Sequence, residues 1–142
     1  MQQTGLKSEQ KDGMDIAFCA INYQTLEMSF AGAHNPCWIL RDSEFIELQA
    51  DSMPVGVFFK ESPFNEQKFQ LKKNDVIYIF SDGFYSQLSE ENKYSRKKFR
   101  EFLHSIGYET LNQQKDLLHT EFEKWKGTNR QTDDVLVMGV KI

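Results

Sequence analysis

The stretch that most constrains this chain is Asp75-Val76-Ile77-Tyr78-Ile79-Phe80-Ser81-Asp82-Gly83. Its run of β-branched and aromatic residues predicts a buried strand. The run stops abruptly at Ser-Asp-Gly. A carboxylate costs free energy to bury without a partner, yet Asp82 stands at the tip of the most apolar strand in the chain. Gly83 lets the backbone turn sharply there. Two readings stay open at this point. Asp82 caps the turn or helix that follows, which the stretch taken alone favours, or it is an oxygen ligand for a hard cation.

The segments around this strand define the fold class. Residues 14–22 (MDIAFCAIN) read as a strand that is apolar on both faces after Asp15, which predicts a central position. Residues 26–31 and 67–71 alternate apolar and polar, the pattern of half-buried strands. Between them, residues 32–36 (GAHNP) form a loop. Residues 37–40 and 45–48 pair as a hairpin across the turn Arg41-Asp42-Ser43. A loop fixed by Pro54 and Gly56 follows, and residues 57–65 are irregular. Beyond Gly83 the period changes. Phe99, Phe102, Leu103 and Ile106 share one helical face, and Leu111, Leu118, Phe122 and Trp125 share another. Gly107 and Gly127 end these two helices. Residues 135–140 supply a last buried strand. Strands in succession, then two helices, then one strand predict a mainly antiparallel α+β fold with helices packed on a sheet face.

At 142 residues the chain is long enough for one domain with a real core. Its 12 Phe predict thick aromatic layers between packed elements. A net charge of −4 argues against a protein that grips a phosphate backbone, so no nucleic-acid partner is expected. Cys19 and Cys37 lie in apolar strand-like runs and read as small buried hydrophobes of a reducing compartment. No run approaches the ~20 apolar residues of a membrane-spanning helix. Residues 1–11 are polar, read as a flexible lead-in, and lack the apolar centre of a secretory signal. A cytoplasmic location is the expectation.

Two carboxylate sites stand out. Asp82 ends one apolar strand, and Asp133-Asp134 opens another. If those strands are antiparallel neighbours, the end of one lies beside the start of the other, and Asp82 and Asp133 converge on one sheet edge. Converging carboxylates with bound water are what Mg²⁺ or Mn²⁺ requires, and two such ions can activate a water against a phosphoryl group. Taken alone, Asp133-Asp134 reads better as the end of a loop. No Gly-x-Ser-x-Gly elbow, P-loop or dinucleotide fingerprint is present, and neither cysteine has a neighbouring His in the sequence that suggests activation.

Five motifs occur in a recognisable order: Asp12-Gly13-Met14-Asp15-Ile16-Ala17, Ala31-Gly32-Ala33-His34-Asn35-Pro36, Met53-Pro54-Val55-Gly56, Tyr78-Ile79-Phe80-Ser81-Asp82-Gly83 and Gln131-Thr132-Asp133-Asp134-Val135-Leu136. Together they resemble the SpoIIE-type serine phosphatases, the bacterial branch of the metal-dependent PPM (PP2C-like) family, from about Asp12 to the C-terminus. The Trp125-Lys126-Gly127 stretch fits as well. The resemblance implies a β-sandwich flanked by helices, with a two-metal Mn²⁺ or Mg²⁺ centre at one end. It implies hydrolysis of phosphoserine or phosphothreonine on a signalling protein, an anti-sigma-factor antagonist among the candidates. By motif, Asp82, Asp133 and Asp134 would be metal ligands. Gly32, His34, Asn35 and Gly83 would support them, while Asp12 and Asp15 are weaker candidates whose strand reads as a packing element.

The departures from the family pattern shape the expectation. Its upstream Asp and Gly-His-Gly motif has no counterpart here, so residues 12–142 are expected to form the C-terminal part of such a domain, incomplete at the N-terminus. Ser86 stands where relatives often carry an acid. With few carboxylates, the isolated chain is expected to bind metal weakly and to be inactive. An open sheet surface is expected to favour a homodimer. The alternative is a non-catalytic phosphoprotein-binding or dimerisation module on the same scaffold.

Overall fold

The computed structural model describes residues 13–56, 62–90 and 92–142. The expected lead-in over residues 1–11, Asp12, and residues 57–61 of the expected irregular stretch lie outside the described residues. In chain order the strands are β1 (Gly13–Met14), β2 (Ile16–Asn22), β3 (Glu27–Ala33), β4 (Cys37–Arg41), β5 (Glu44–Leu48), β6 (Val55–Gly56), β7 (Gln67–Gln70), β8 (Val76–Phe80), β9 (Leu88–Ser89), β10 (Asn92–Lys93) and β11 (Val137–Lys141). The helices are α1 (Gly83–Ser86), α2 (Arg96–Ile106) and α3 (Leu111–Lys126).

Two antiparallel sheets carry the architecture. One has the order β2-β3-β7 and the other β11-β8-β4-β5. The continuous apolar runs of β4 and β8 have a direct cause: both strands are buried on both faces. Cys37 and Ile39 of β4 and Ile77 of β8 meet Met28 and Phe30 of β3 between the sheets. Trp38 and Leu40 of β4, with Val76, Tyr78 and Phe80 of β8, face the helices, where they pack with Phe99, Leu103, Ile106 and Phe122. Aromatic rings dominate this second layer. Trp38 lies 4.5 Å from Phe80, and Phe84 lies 4.7 Å from Phe99, centroid to centroid, within the range where ring pairs add to simple burial.

Local chemistry sets the boundaries. Asp42 and Ser43 both take positive φ (47° and 68°), so the β4–β5 hairpin turns as the primed type that matches strand twist. The Ser95 hydroxyl accepts from the Lys98 N–H and starts α2. A capping box between Thr110 and Gln113 starts α3. Arg41 and Asp75 lock β4, β7 and β8 together: Arg41 donates to both Asp75 carboxylate oxygens at 2.9 and 2.6 Å and to the Gln70 carbonyl at 3.0 Å. Burial pushes the Asp75 carboxyl up, but Arg41 and the Lys72 N–H outweigh it and hold it below the usual carboxylate range.

Four expectations need correction. β11 is an edge strand that is only partly buried, with Met138 47% exposed, rather than a buried one. β2 is an edge strand, not a central one. Its inward residues Ala17, Cys19 and Ile21 pack against the sandwich core, while Ile16 and Phe18 are 36% and 60% exposed on the other face. The apolar character of both faces therefore marks an outer surface that no described residue covers. The loop assigned to residues 32–36 starts later, because β3 runs on through Ala33 and pairs Gly32 with Ala17. The stretch after Ser86 holds a small β9–β10 ribbon that periodicity missed, since two-residue strands carry no period.

Candidate functional site

Topology gathers several of the singled-out residues at one end of the sandwich. β8 pairs antiparallel with β11 in the register Val137↔Phe80, so the tip of β8 lies beside the segment that enters β11. β4 is antiparallel to β8 with Cys37↔Ile79, which places the His34–Pro36 loop at the same end. Ile16↔Ala33 in the β2–β3 ladder brings Asp15 there as well.

The Asp-Gly turn and the acidic pair touch through the backbone. A Cβ on Gly83 would stand 2.1 Å from the Asp134 carbonyl oxygen and 2.8 Å from its carbon. Glycine is required there by contact, because its φ is not positive. Ser81 fastens the same junction. Its Oγ donates to the Asp134 carbonyl at 2.9 Å and accepts from the Leu136 N–H at 3.0 Å, and its own N–H donates to the Leu136 carbonyl at 3.0 Å.

Asp82 occupies the N-cap position of α1, but its side chain makes no capping hydrogen bond to the helix backbone. Instead its Oδ2 accepts from the Ser86 hydroxyl at 3.1 Å. The carboxylate is exposed, which leaves oxygen lone pairs directed to solvent. Asp133 and Asp134 are exposed too, with Asp133 Oδ1 accepting from the Asp134 N–H at 2.7 Å. The segment leading to Asp133 is anchored by Gln87, which is fully buried. Gln87 accepts from the Thr132 N–H at 3.0 Å and donates to the carbonyls of Arg130 (3.0 Å) and Leu88 (2.9 Å). The Trp125 indole N–H closes this network on the Gln87 carbonyl at 2.9 Å.

On the neighbouring sheet, His34 takes a positive φ of 58°, and its Nδ1 meets Asp15 Oδ1 at 2.8 Å. The loop is tied down by Asp51, whose carbonyl accepts from the His34 N–H and whose N–H donates to the Gly32 carbonyl, both at 2.9 Å. A Cβ on Gly32 would stand 2.5 Å from the Asn35 carbonyl oxygen, so that position is closed to larger residues. Tyr85 feels the charge of both acidic groups. Burial raises its phenol above the ordinary value, the charges of Asp82 and Asp15 add to the rise, and Arg96 opposes it.

The structure thus brings Asp82 together with the Asp133-Asp134 backbone, and sets Asp15 and His34 at the same end as a pair. Among the described residues, no three His, Cys, Asp or Glu side chains gather closely enough to hold a metal ion. The donor set fits Mg²⁺ or Mn²⁺ in kind, being exposed carboxylate oxygen, and falls short of a closed shell in number. Three positions went unread in the sequence, Ser81, Gln87 and Asp51, and so did the pairing of Asp15 with His34. Ser81 and Gln87 act through contacts about 45 to 55 positions away in the chain, which no local pattern encodes.

Comparison with solved structures places this architecture among PP2C-like folds. The SiaA-PP2C domain of Pseudomonas aeruginosa superposes with a TM-score of 0.81 at 18% identity, over 90% of this chain and 51% of that one. The phosphatase domain of the Bacillus subtilis cell-fate determinant SpoIIE gives 0.67 at 20% identity, over 90% and 56%. The Mycobacterium tuberculosis serine/threonine phosphatase PstP/Ppp gives 0.66 at 12%, over 92% and 60%. The chain therefore spans between 51 and 60% of the length of these relatives. No curated protein matches the sequence. No described helix is long and apolar enough to cross a membrane. The model of the Stage II sporulation protein E family (SpoIIE) matches residues 3–142, and the chain belongs to that family, as part of its PP2C-like domain.

Proposed function

We propose that this chain supplies one side of the centre of a metal-dependent protein serine/threonine phosphatase of the PPM type. The observation that supports this most is the closure of the Asp82-Gly83 turn onto the Asp133-Asp134 backbone, which a Cβ on Gly83 would prevent. Asp82 and Asp133 would hold a divalent cation, Mg²⁺ or Mn²⁺, with Asp134 as a further donor. Such an ion supplies a water of lowered pKa and a positive charge for phosphoryl oxygens. The chain's own residues prepare that place. Ser86 donates to Asp82 and fixes its rotamer. Gln87 and Ser81 hold the Asp133 segment in register. Gly32, His34 and Asn35 form the loop that steadies Asp15 at the same end. The substrate is a phosphoserine- or phosphothreonine-bearing signalling protein, an antagonist of an anti-sigma factor by family resemblance.

A second reading keeps the scaffold without turnover, as a module that holds a phosphoprotein. The small number of converging ligands among the described residues favours it for these 142 residues in isolation. The test is phosphate release from a phosphoserine protein with Mn²⁺, alongside retention of that protein by the immobilised chain. Turnover that Asp82→Asn abolishes establishes the first reading. Retention that needs neither Mn²⁺ nor Asp82, with no turnover, establishes the second and overturns the first.

A further inference from the structure

We propose that Cys19 and Cys37 form a peroxide-responsive thiol pair that closes to an intramolecular disulfide between the two sheets. These are the only two cysteines in the chain. They lie on different sheets, Cys19 on β2 and Cys37 on β4, and their sulfur atoms are 4.0 Å apart. A disulfide requires about 2.05 Å between sulfurs, so closure needs a movement on the order of 2 Å. The pair belongs to the apolar cluster that also holds Met28, Phe30, Ile39 and Ile77.

The two thiols differ in access. Cys37 is fully buried. Cys19 is half-buried and stands on the edge strand of its sheet. A small oxidant entering at that edge meets Cys19 first. The contact with the Cys37 thiol lowers the Cys19 pKa, against the opposing effect of burial. The hydrogen bond with Cys19 and burial both push the Cys37 thiol up. Cys19 is thus the attacking sulfur and Cys37 the resolving one, since the thiolate is the nucleophile.

The steps balance with hydrogen peroxide as the oxidant. The Cys19 thiolate attacks one peroxide oxygen, the O–O bond breaks, and the departing hydroxide takes a proton to leave as water. Cys19 is left as the sulfenic acid. The Cys37 sulfur then attacks the Cys19 sulfur, the S–O bond breaks, and the Cys37 proton departs with the hydroxyl as a second water. Two thiols are oxidised by two electrons, and the peroxide is reduced by two. The product fastens β2, which begins just after Asp15, to β4, which begins just after the His34–Pro36 loop. It would clamp the carboxylate-bearing end of the sandwich.

The full chain, treated with hydrogen peroxide and then alkylated with iodoacetamide in denaturant, tests this by intact mass. The expected product has lost two hydrogens, carries no alkyl group, and returns to two alkylated cysteines after reduction. Its yield is independent of protein concentration, and its thermal midpoint is higher than that of the reduced form. Cys37→Ala is expected to leave a Cys19 sulfenic acid that dimedone traps, and Cys19→Ala to leave Cys37 reduced. Both cysteines alkylating after peroxide, or a disulfide only between chains, overturns the proposal. A Cys37→Ala variant whose Cys19 gives no dimedone adduct overturns the assignment of Cys19 as the attacking sulfur.

Discussion

Gly83→Ala is the substitution whose consequence can be worked out most fully. The new methyl carbon would stand 2.1 Å from the Asp134 carbonyl oxygen. Ordinary contact begins at 3.4 Å, so the facing backbone must retreat by 3.4 − 2.1 = 1.3 Å. Both near atoms belong to backbone, and no side-chain rotation relieves the clash. A retreat of that size breaks the Ser81 Oγ hydrogen bonds to Asp134 and Leu136, now 2.9 and 3.0 Å. Each is worth about 1 kcal/mol net, and the overpacking strain adds about 1–3 kcal/mol. The expected loss is therefore about 3–5 kcal/mol. With a urea slope near 2 kcal/mol/M, the denaturation midpoint should fall by about 1.5–2.5 M. Gly139→Ala is the control, because its nearest neighbour is the flexible end of Leu111 at 3.2 Å. It should cost less than about 1 kcal/mol. A Gly83→Ala protein with the midpoint of the parent chain would refute the claim that the Asp-Gly turn and the acidic pair are in contact.

Other perturbations follow from the same contacts. Gln87→Leu removes three hydrogen bonds from a buried position, so stability should fall by about 2–4 kcal/mol, and the Thr132 amide should exchange much faster in hydrogen-exchange mass spectrometry. Asp75→Asn should cost about 2–4 kcal/mol at neutral pH by removing the buried charge that Arg41 pairs with. Because the folded pKa of Asp75 lies below its unfolded value, its contribution is full at neutral pH, fades as pH falls below about 4, and is gone below the folded pKa. Acid titrations of unfolding should therefore show the variant converging on the parent at low pH, and parallel curves would contradict this. Exposed Ile16 and Phe18 on an edge strand favour pairing of two β2 strands, so sedimentation should detect a dimer that Phe18→Lys dissociates, whereas a monomeric parent chain speaks against it.

The sequence made some features legible and hid others for identifiable physical reasons. Residues buried on both faces, as in β8, show unbroken apolar runs, and the amphipathic stripes of α2 and α3 follow the helical period, so these elements could be read directly. β2 misled because an apolar face reads the same whether a core or open solvent lies beyond it. The meeting of Asp82 with Asp133-Asp134 was legible only through the assumption that their strands are neighbours, which the β8–β11 pairing supplies. Ser81 and Gln87 were not legible. Each is a polar residue whose decisive partners lie far along the chain, and its role appears only once the turn between β8 and α1 packs on the loop before β11. The absence of a capping bond from Asp82 also needed coordinates, because an acid before a helix reads as a cap in any sequence.

The central claim is that Asp82 and Asp133 are the oxygen donors for a divalent cation at the end of the sandwich. Mn²⁺ titration of the chain, followed by the loss of the free-ion electron paramagnetic resonance signal, tests it without requiring turnover. Binding should be weak but saturable, in the range of about 0.1–1 mM typical of sites with few carboxylates. Asp82→Asn and Asp133→Asn should each weaken it at least about tenfold, while Asp116→Asn on the exposed face of α3 leaves it unchanged. Equal Mn²⁺ binding by the parent chain and both site variants would contradict the account.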